Sequence, residues 1–285
     1  MRLATIETAA GATIVVERNG KFIDLRAVLS ELPRTMKELL AREDGLARAA
    51  WAADAGEKAG LYVTGKLLAP VPRPDKVICI GLNYRDHAAE SGVAPPEEPV
   101  VFNKFPQAVI GPEATVTIPK ACTQVDYEAE LVVVIGKRGK RVAKADALKY
   151  VAGYTIGNDV SARDWQLQKP GKQWLLGKTP DTFAPTGPYL VTADEVSNPH
   201  DLAIKLRLNG QTMQNSNTKE FIFKIDELIS YVTQVITLEP GDLIFTGTPP
   251  GVGMARKPPV LLKAGDVCEV EIANFGVLRN PIEAE

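Results

Sequence analysis

Histidine and cysteine are both scarce in this chain, with two His and three Cys in 285 residues. With so few imidazoles and thiols, any metal site would have to rest on carboxylates. Cys79, Cys122 and Cys268 are scattered, form no C-x-x-C pair and are odd in number, which argues against a disulfide framework or a structural zinc site and fits a reducing, cytoplasmic setting. An excess of charge of one sign is also missing. Lys and Arg total 33 against 35 Asp and Glu, a net charge of −2, so the basic surplus that a phosphate backbone demands is absent and nucleic acid is not an expected partner. No apolar run reaches the roughly 18 residues of a membrane span. The first residues carry Glu7 and no apolar core, so they do not read as a signal peptide. Nucleotide-binding loops are missing as well. The segment 246–253, Thr-Gly-Thr-Pro-Pro-Gly-Val-Gly, has Arg256 where a dinucleotide fingerprint wants its third Gly, and its prolines remove backbone donors. It reads instead as a rigid pocket wall in which Thr248 can offer a hydroxyl.

What is present fits a folded globular protein. Apolar residues at 45% and charged residues at 24% exclude disorder, and the length allows one large domain or one domain with a small appendage. The 23 Gly and 21 Pro follow no period, which points to turns between short strands. Residues 1–70 read as a small α/β unit, with strands at 12–16 and 22–25 around an Asn19-Gly20 turn and a helix over 35–53. Alternate prolines in 69–75 favour an extended connector. Residues 71–285 read as the main domain. Short β-branched strands are expected at 77–80, 100–103, 115–118, 130–135, 203–208, 243–246 and 267–272, with helices only at 84–91, 144–150 and 225–237. Strands and helices do not alternate regularly, so the fold class is mixed α/β and predominantly β.

The most informative segment is Asp126-Tyr-Glu-Ala-Glu-Leu-Val-Val-Val-Ile-Gly136. Alternation along a strand points Glu128 and Glu130 the same way, and the apolar run that follows argues for burial, where like charges need a cationic partner or a metal ion. Mg²⁺ or Mn²⁺ would suit such oxygen ligands. A third ligand could come from Asp159, which ends a strand at 153–159. The plainer reading is that the two glutamates decorate an edge strand and Asp159 caps a helix. If Asp159 heads that helix, Arg163 and Gln166 follow it on one face and could hold a substrate carboxylate. His87 and Glu90 are three apart on a helical segment, where a carboxylate can fix the imidazole tautomer and make it a base, although such pairs are common on surfaces. By itself Lys178 reads as a snorkelling surface lysine, and His200, in Ser-Asn-Pro-His-Asp, as solvent-facing.

Taken in order, Gly-Leu-Asn-Tyr-x-x-His-x-x-Glu, Asp-Tyr-Glu-x-Glu-Leu, Asn-Asp-Val-Ser-Ala-Arg-Asp-x-Gln, Gly-Lys-x-x-Asp-Thr-Phe and Gly-Thr-Pro-Pro-Gly-Val-Gly resemble the fumarylacetoacetate hydrolase family from about Lys76 to Pro281. The resemblance implies a β-roll-like core, a homodimer, and Mg²⁺ or Mn²⁺ held by Glu128, Glu130 and Asp159. It also implies a catalytic pair, His87 and Glu90, on a lid, with Lys178 as the cation near the reacting oxygen, Arg163 and Gln166 as polar groups of the active site, and Thr248 as a substrate contact. The substrate would be a 2-oxo acid. Residues 171–178 and 256–260 look like a subgroup linked to oxaloacetate. C–C hydrolysis of an acylpyruvate or fumarylacetoacetate-type substrate ranks first, because His87 with Glu90 supplies a base for water. Keto–enol tautomerisation or decarboxylation of oxaloacetate ranks second, and a non-catalytic metal-binding scaffold third.

Overall fold

Seven consecutive buried residues, Ala129–Ile135, form the strand around which the molecule is built. Leu131, Val133 and Ile135 enter one apolar cluster while Val132 and Val134 enter another, so both faces of the strand are covered and its sequence is a continuous apolar run apart from Glu130. The computed structural model describes every residue except 172 and 173. The strand lies inside a twelve-stranded mixed sheet, between Val151–Asn158 and Leu243–Phe245, beyond which come Val77–Gly81 and Val100–Lys104. A second, five-stranded sheet contains Ala203–Leu208, Val267–Ile272 and Gly276–Ala284, and packs its buried side chains into the first cluster. The mixed, strand-rich class expected from the sequence is the class observed.

The first 70 residues join this sheet. Arg2–Thr8 pairs antiparallel with Ala184–Thr192, Leu3 opposite Leu190, so the sheet runs across the boundary drawn at the proline-rich connector. Asn19 and Gly20, at φ 53° and 77°, close the expected hairpin between Gly11–Arg18 and Lys21–Asp24. The helix expected over 35–53 is two helices, Met36–Ala41 and Gly45–Ala59. A β-carbon at Gly45 would sit 2.0 Å from the Leu39 carbonyl oxygen, so the chain doubles back where only glycine fits. These helices pack leucines and alanines against the Val132 face of the sheet.

Two local expectations are corrected. Asp159 does not head a helix. It lies in the turn between Val151–Asn158 and the short strand Ser161–Ala162, and a π-helical turn, Asp164–Gln168, follows. His200 is half-buried rather than solvent-facing. Its Nε2 accepts a hydrogen bond from the Ile225 N–H at 3.2 Å, at the start of the helix Ile225–Thr233, and burial lowers its pKa.

Candidate metal centre and active site

Alternation along Ala129–Ile135 does what the sequence demanded. The carboxylates of Glu128 and Glu130 emerge together and meet Asp159, with one oxygen of each of the three inside a 4.8 Å span. All three residues are buried. Glu128 and Asp159 are matched by cations: Lys178 Nζ lies 2.7 Å from Glu128 Oε2 and 2.9 Å from Asp159 Oδ2, and Arg163 Nη2 lies 2.6 Å from Glu128 Oε1. The chain of opposite charges continues at both ends, with Arg163 on Asp126 at 2.8 Å and Lys104 on Asp159 Oδ1 at 2.6 Å. Asp126, Arg163, Glu128, Lys178, Asp159 and Lys104 thus alternate in sign. Glu130 stands outside the alternation. Among the described residues its Oε2 accepts the Gly247 N–H alone, at 2.7 Å.

The electrostatics follow from that arrangement. Burial alone would raise Glu128, but Lys178 and Arg163 outweigh it and hold the carboxyl at about 2. Burial, Asp159 and Glu128 all push Glu130 well above the usual carboxylate range, with the Gly247 N–H opposing. Lys178 is raised, because Asp159 and Glu128 overcome its burial. A hard divalent cation fits this donor set, since the ligands are oxygens only and one buried carboxylate, Glu130, has no ion pair with a cation among the described residues.

The helix Arg85–Ser91 carries the His/Glu pair to the same place. His87 Nδ1 is 3.1 Å from Glu90 Oε2, and both Glu90 oxygens accept the Gly251 N–H at 3.0 Å. At Gly251, φ is +100° and a β-carbon would lie 2.2 Å from the Met213 carbonyl oxygen, so the loop can present that N–H only through glycine. A hydrogen bond from Ser216 Oγ to Asp86 Oδ2 at 2.6 Å steadies the other end of the helix. Gly177 has a comparable role, since a β-carbon there would fall 2.6 Å from Gln166 Cβ; the close approach seats Lys178 beside the carboxylates. A cavity of about 330 Å³ gathers His87, Glu128, Glu130, Arg163, Gln166, Lys178 and Thr248, with an apolar wall that includes Phe102 and Trp174. Lys178 Nζ sits 5.0 Å from the Phe102 ring centre. A larger cavity, about 500 Å³, lies between Leu40–Leu46 and Lys137–Arg138 and contains none of these groups.

Residues 76–283 match the fumarylacetoacetate hydrolase C-terminal family. The chain belongs to this family. Among its relatives, the mitochondrial oxaloacetate tautomerase FAHD2A of Bos taurus is 52% identical over 266 residues, spanning 92% of this chain and 84% of that protein. The mitochondrial oxaloacetate tautomerase fahd2 of Xenopus laevis is 50% identical over 268 residues, spanning 94% and 84%. The solved fumarylacetoacetate hydrolase of Exiguobacterium antarcticum superposes with a TM-score of 0.85 at 35% identity, covering the whole of both chains. This chain is therefore a fumarylacetoacetate hydrolase family enzyme with an acidic triad suited to a metal. No helix among the described residues is long and apolar enough to cross a membrane.

Within this family framework the predicted residues divide. Arg163 and Gln166 do meet, Nη1 to Oε1 at 3.0 Å, but through the π-helical turn, and the Arg163 guanidinium is already held by Asp126 and Glu128. Lys178 is buried, not snorkelling. Thr248 lines the cavity, yet its hydroxyl donates to the Ala129 carbonyl at 2.9 Å and accepts from Gln214 Nε2 at 2.9 Å, so its proton is already engaged within the protein. In the oxaloacetate-linked segment 171–178, positions 172 and 173 lie outside the described residues. Three contributors escaped the sequence reading: Asp126, which also accepts the Gly253 and Met254 N–H groups; Gln214, which clamps Ala129 and Thr248; and Lys104. Asp126 sits two residues before Glu128 in the same acidic run, a signal that was available. Lys104 follows Val100 and Val101, which are solvent-exposed, and nothing local marks it as buried.

Proposed function

We propose that this enzyme is a divalent-metal-dependent oxaloacetate tautomerase, interconverting the keto and enol forms of the acid. The observation that carries the reading is that relatives named oxaloacetate tautomerases share about half their residues with this chain over more than nine-tenths of it. The tautomerase reading, second to hydrolysis on the sequence, therefore moves to first.

Glu128, Glu130 and Asp159 would hold Mg²⁺ or Mn²⁺, which when bound would supply Lewis acidity to the oxygens of a 2-oxo acid and favour its enol form. The chain's own groups move the proton. His87, with Nδ1 held by Glu90, takes a proton through Nε2 from the carbon next to the keto group and hands it to the enolate oxygen, so the C–H bond broken is matched by the O–H bond formed; ketonisation runs the same transfer backwards. Lys178, kept cationic by its two carboxylates, stands where negative charge develops on oxygen. Phe102 and Trp174 give the cavity an apolar wall beside these groups. We place the working enzyme as a homodimer in a reducing compartment, cytoplasmic or, as in the named relatives, mitochondrial. Acylpyruvate hydrolysis is the second reading, favoured by the assembled His87–Glu90 pair.

With Mg²⁺, purified enzyme should speed the ultraviolet loss of the oxaloacetate enol without releasing pyruvate. Pyruvate from oxaloacetate would make it a decarboxylase, and cleavage of acetylpyruvate at a higher kcat/KM would make it a hydrolase.

A further inference from the structure

Three cations are buried among the described residues: Arg163, Lys178 and Lys104. The first two line the cavity, and Lys104 does not. Its Nζ donates to the carbonyl oxygens of Val160 at 2.8 Å, Phe183 at 2.7 Å and Lys178. An ammonium has three N–H groups, and three carbonyls engage them, so the 2.6 Å approach to Asp159 Oδ1 is a contact between charges. Lys104 is 1% exposed and cannot swing to solvent without breaking all four contacts.

The charges of the buried group show what this ammonium does. Among the described residues, and with every carboxylate ionised as a bound metal requires, Asp126, Glu128, Glu130 and Asp159 face Arg163, Lys178 and Lys104, which leaves one net negative charge before the ion is counted. A divalent cation turns that into one net positive charge, opposite in sign to the carboxylate that approaches the ion. Without Lys104 the same sum is zero, so an incoming anion would keep its contact with the ion but lose the added attraction of this ammonium.

We propose that Lys104 is a positioning residue that fixes Asp159 and sets the metal-loaded site to one net positive charge, so that the carboxylate of a 2-oxo acid is drawn in. The inference rests on the reading of this site as one for an anionic 2-oxo acid. Removing the charge has opposite effects on the two ligands: the cation gains, because a like charge near its ligands is gone, and the anion loses.

The test is calorimetric titration with Mn²⁺ alone, and then with oxalate in the presence of saturating Mn²⁺, on wild type and Lys104→Met. The variant should bind Mn²⁺ about tenfold more tightly and oxalate at least about tenfold more weakly. A purely structural role would weaken both, and that result, or no change in either, overturns the proposal. Should Lys104→Met not fold, Lys104→Gln keeps hydrogen-bond donors without the charge. A Mn²⁺-loaded crystal structure of the wild type needs no variant at all. It should keep Lys104 Nζ within about 3 Å of Asp159 Oδ1, with the ion on the other carboxylate oxygen. An ion on both oxygens, or a withdrawn Lys104, overturns the proposal. Because neither measurement needs turnover, opposed shifts in a protein that does not tautomerise oxaloacetate would sink the proposed function and leave the role of Lys104 standing.

Discussion

The buried run of alternating charges and the His87–Glu90 pair serve one cavity but are built differently. The charged run is held from all sides by strands Ala129–Ile135 and Val151–Asn158, the helix Trp174–Lys178 and the end of Val100–Lys104, and each of its carboxylates has a cation or several main-chain donors. The pair rides on seven residues of helix, Arg85–Ser91, fastened by Asp86 to Ser216 and by Glu90 to the Gly251 N–H. The carboxylate cluster is thus set by the fold, while the proton-transfer group is set by a few separable hydrogen bonds. Binding and proton transfer should respond to different substitutions.

Glu130→Gln should have the largest effect. Metal-dependent turnover should fall by about 10³-fold or more, as expected when several kcal/mol of Lewis-acid stabilisation are lost. Without metal, its melting temperature should match or exceed that of wild type, because the removed carboxylate is buried beside two others and has no ion pair among the described residues, while the rise in melting temperature on adding Mn²⁺ disappears. Next, His87→Ala should cost about 10²- to 10⁴-fold in kcat. Its Mn²⁺ affinity by calorimetry should match wild type, and a parallel loss of metal binding would collapse the distinction between the two regions. Gly251→Ala, which drives a β-carbon into the Met213 carbonyl, should lower kcat by about tenfold with metal affinity intact. The smallest effect lies far from both regions. His200 accepts from Ile225 and has a lowered pKa in the folded state, so the unfolded chain takes up the proton first. Its contribution is complete above its ordinary value of 6.5 and is lost as pH falls through the folded value, a dependence that denaturant melts of His200→Gln should lack.

Much of the site was legible because strand alternation is local. Glu128 and Glu130, two apart before an apolar run, had to share a side, and the ordered motifs brought in Asp159, His87, Glu90, Arg163, Gln166 and Lys178. Lys104 was not legible, since its burial comes from carbonyls contributed by residues 160, 178 and 183. The strands that went unread have equally physical reasons. Ala184–Thr192 contains Pro185 and Pro188, and Gln211–Asn217 is almost wholly polar, so neither carries the apolar pattern of a strand. Asp159 resembled a helix cap because Asp is a favoured N-cap residue, and the short strand Ser161–Ala162 pairing with Val125–Asp126 overrode that preference.

The order of strands in the central sheet bears on how the protein is made. Ala129–Ile135 pairs on one side with Val151–Asn158, close behind it in the chain, but on the other with Leu243–Phe245, which itself lies parallel to Val77–Gly81. As the polypeptide leaves the ribosome, Val77–Gly81 and Ala129–Ile135 are both exposed long before the segment that belongs between them. The strand bearing Glu130 therefore gains its second neighbour only after residue 245 has emerged, and nascent chains halted short of that point should present an open apolar edge to chaperones.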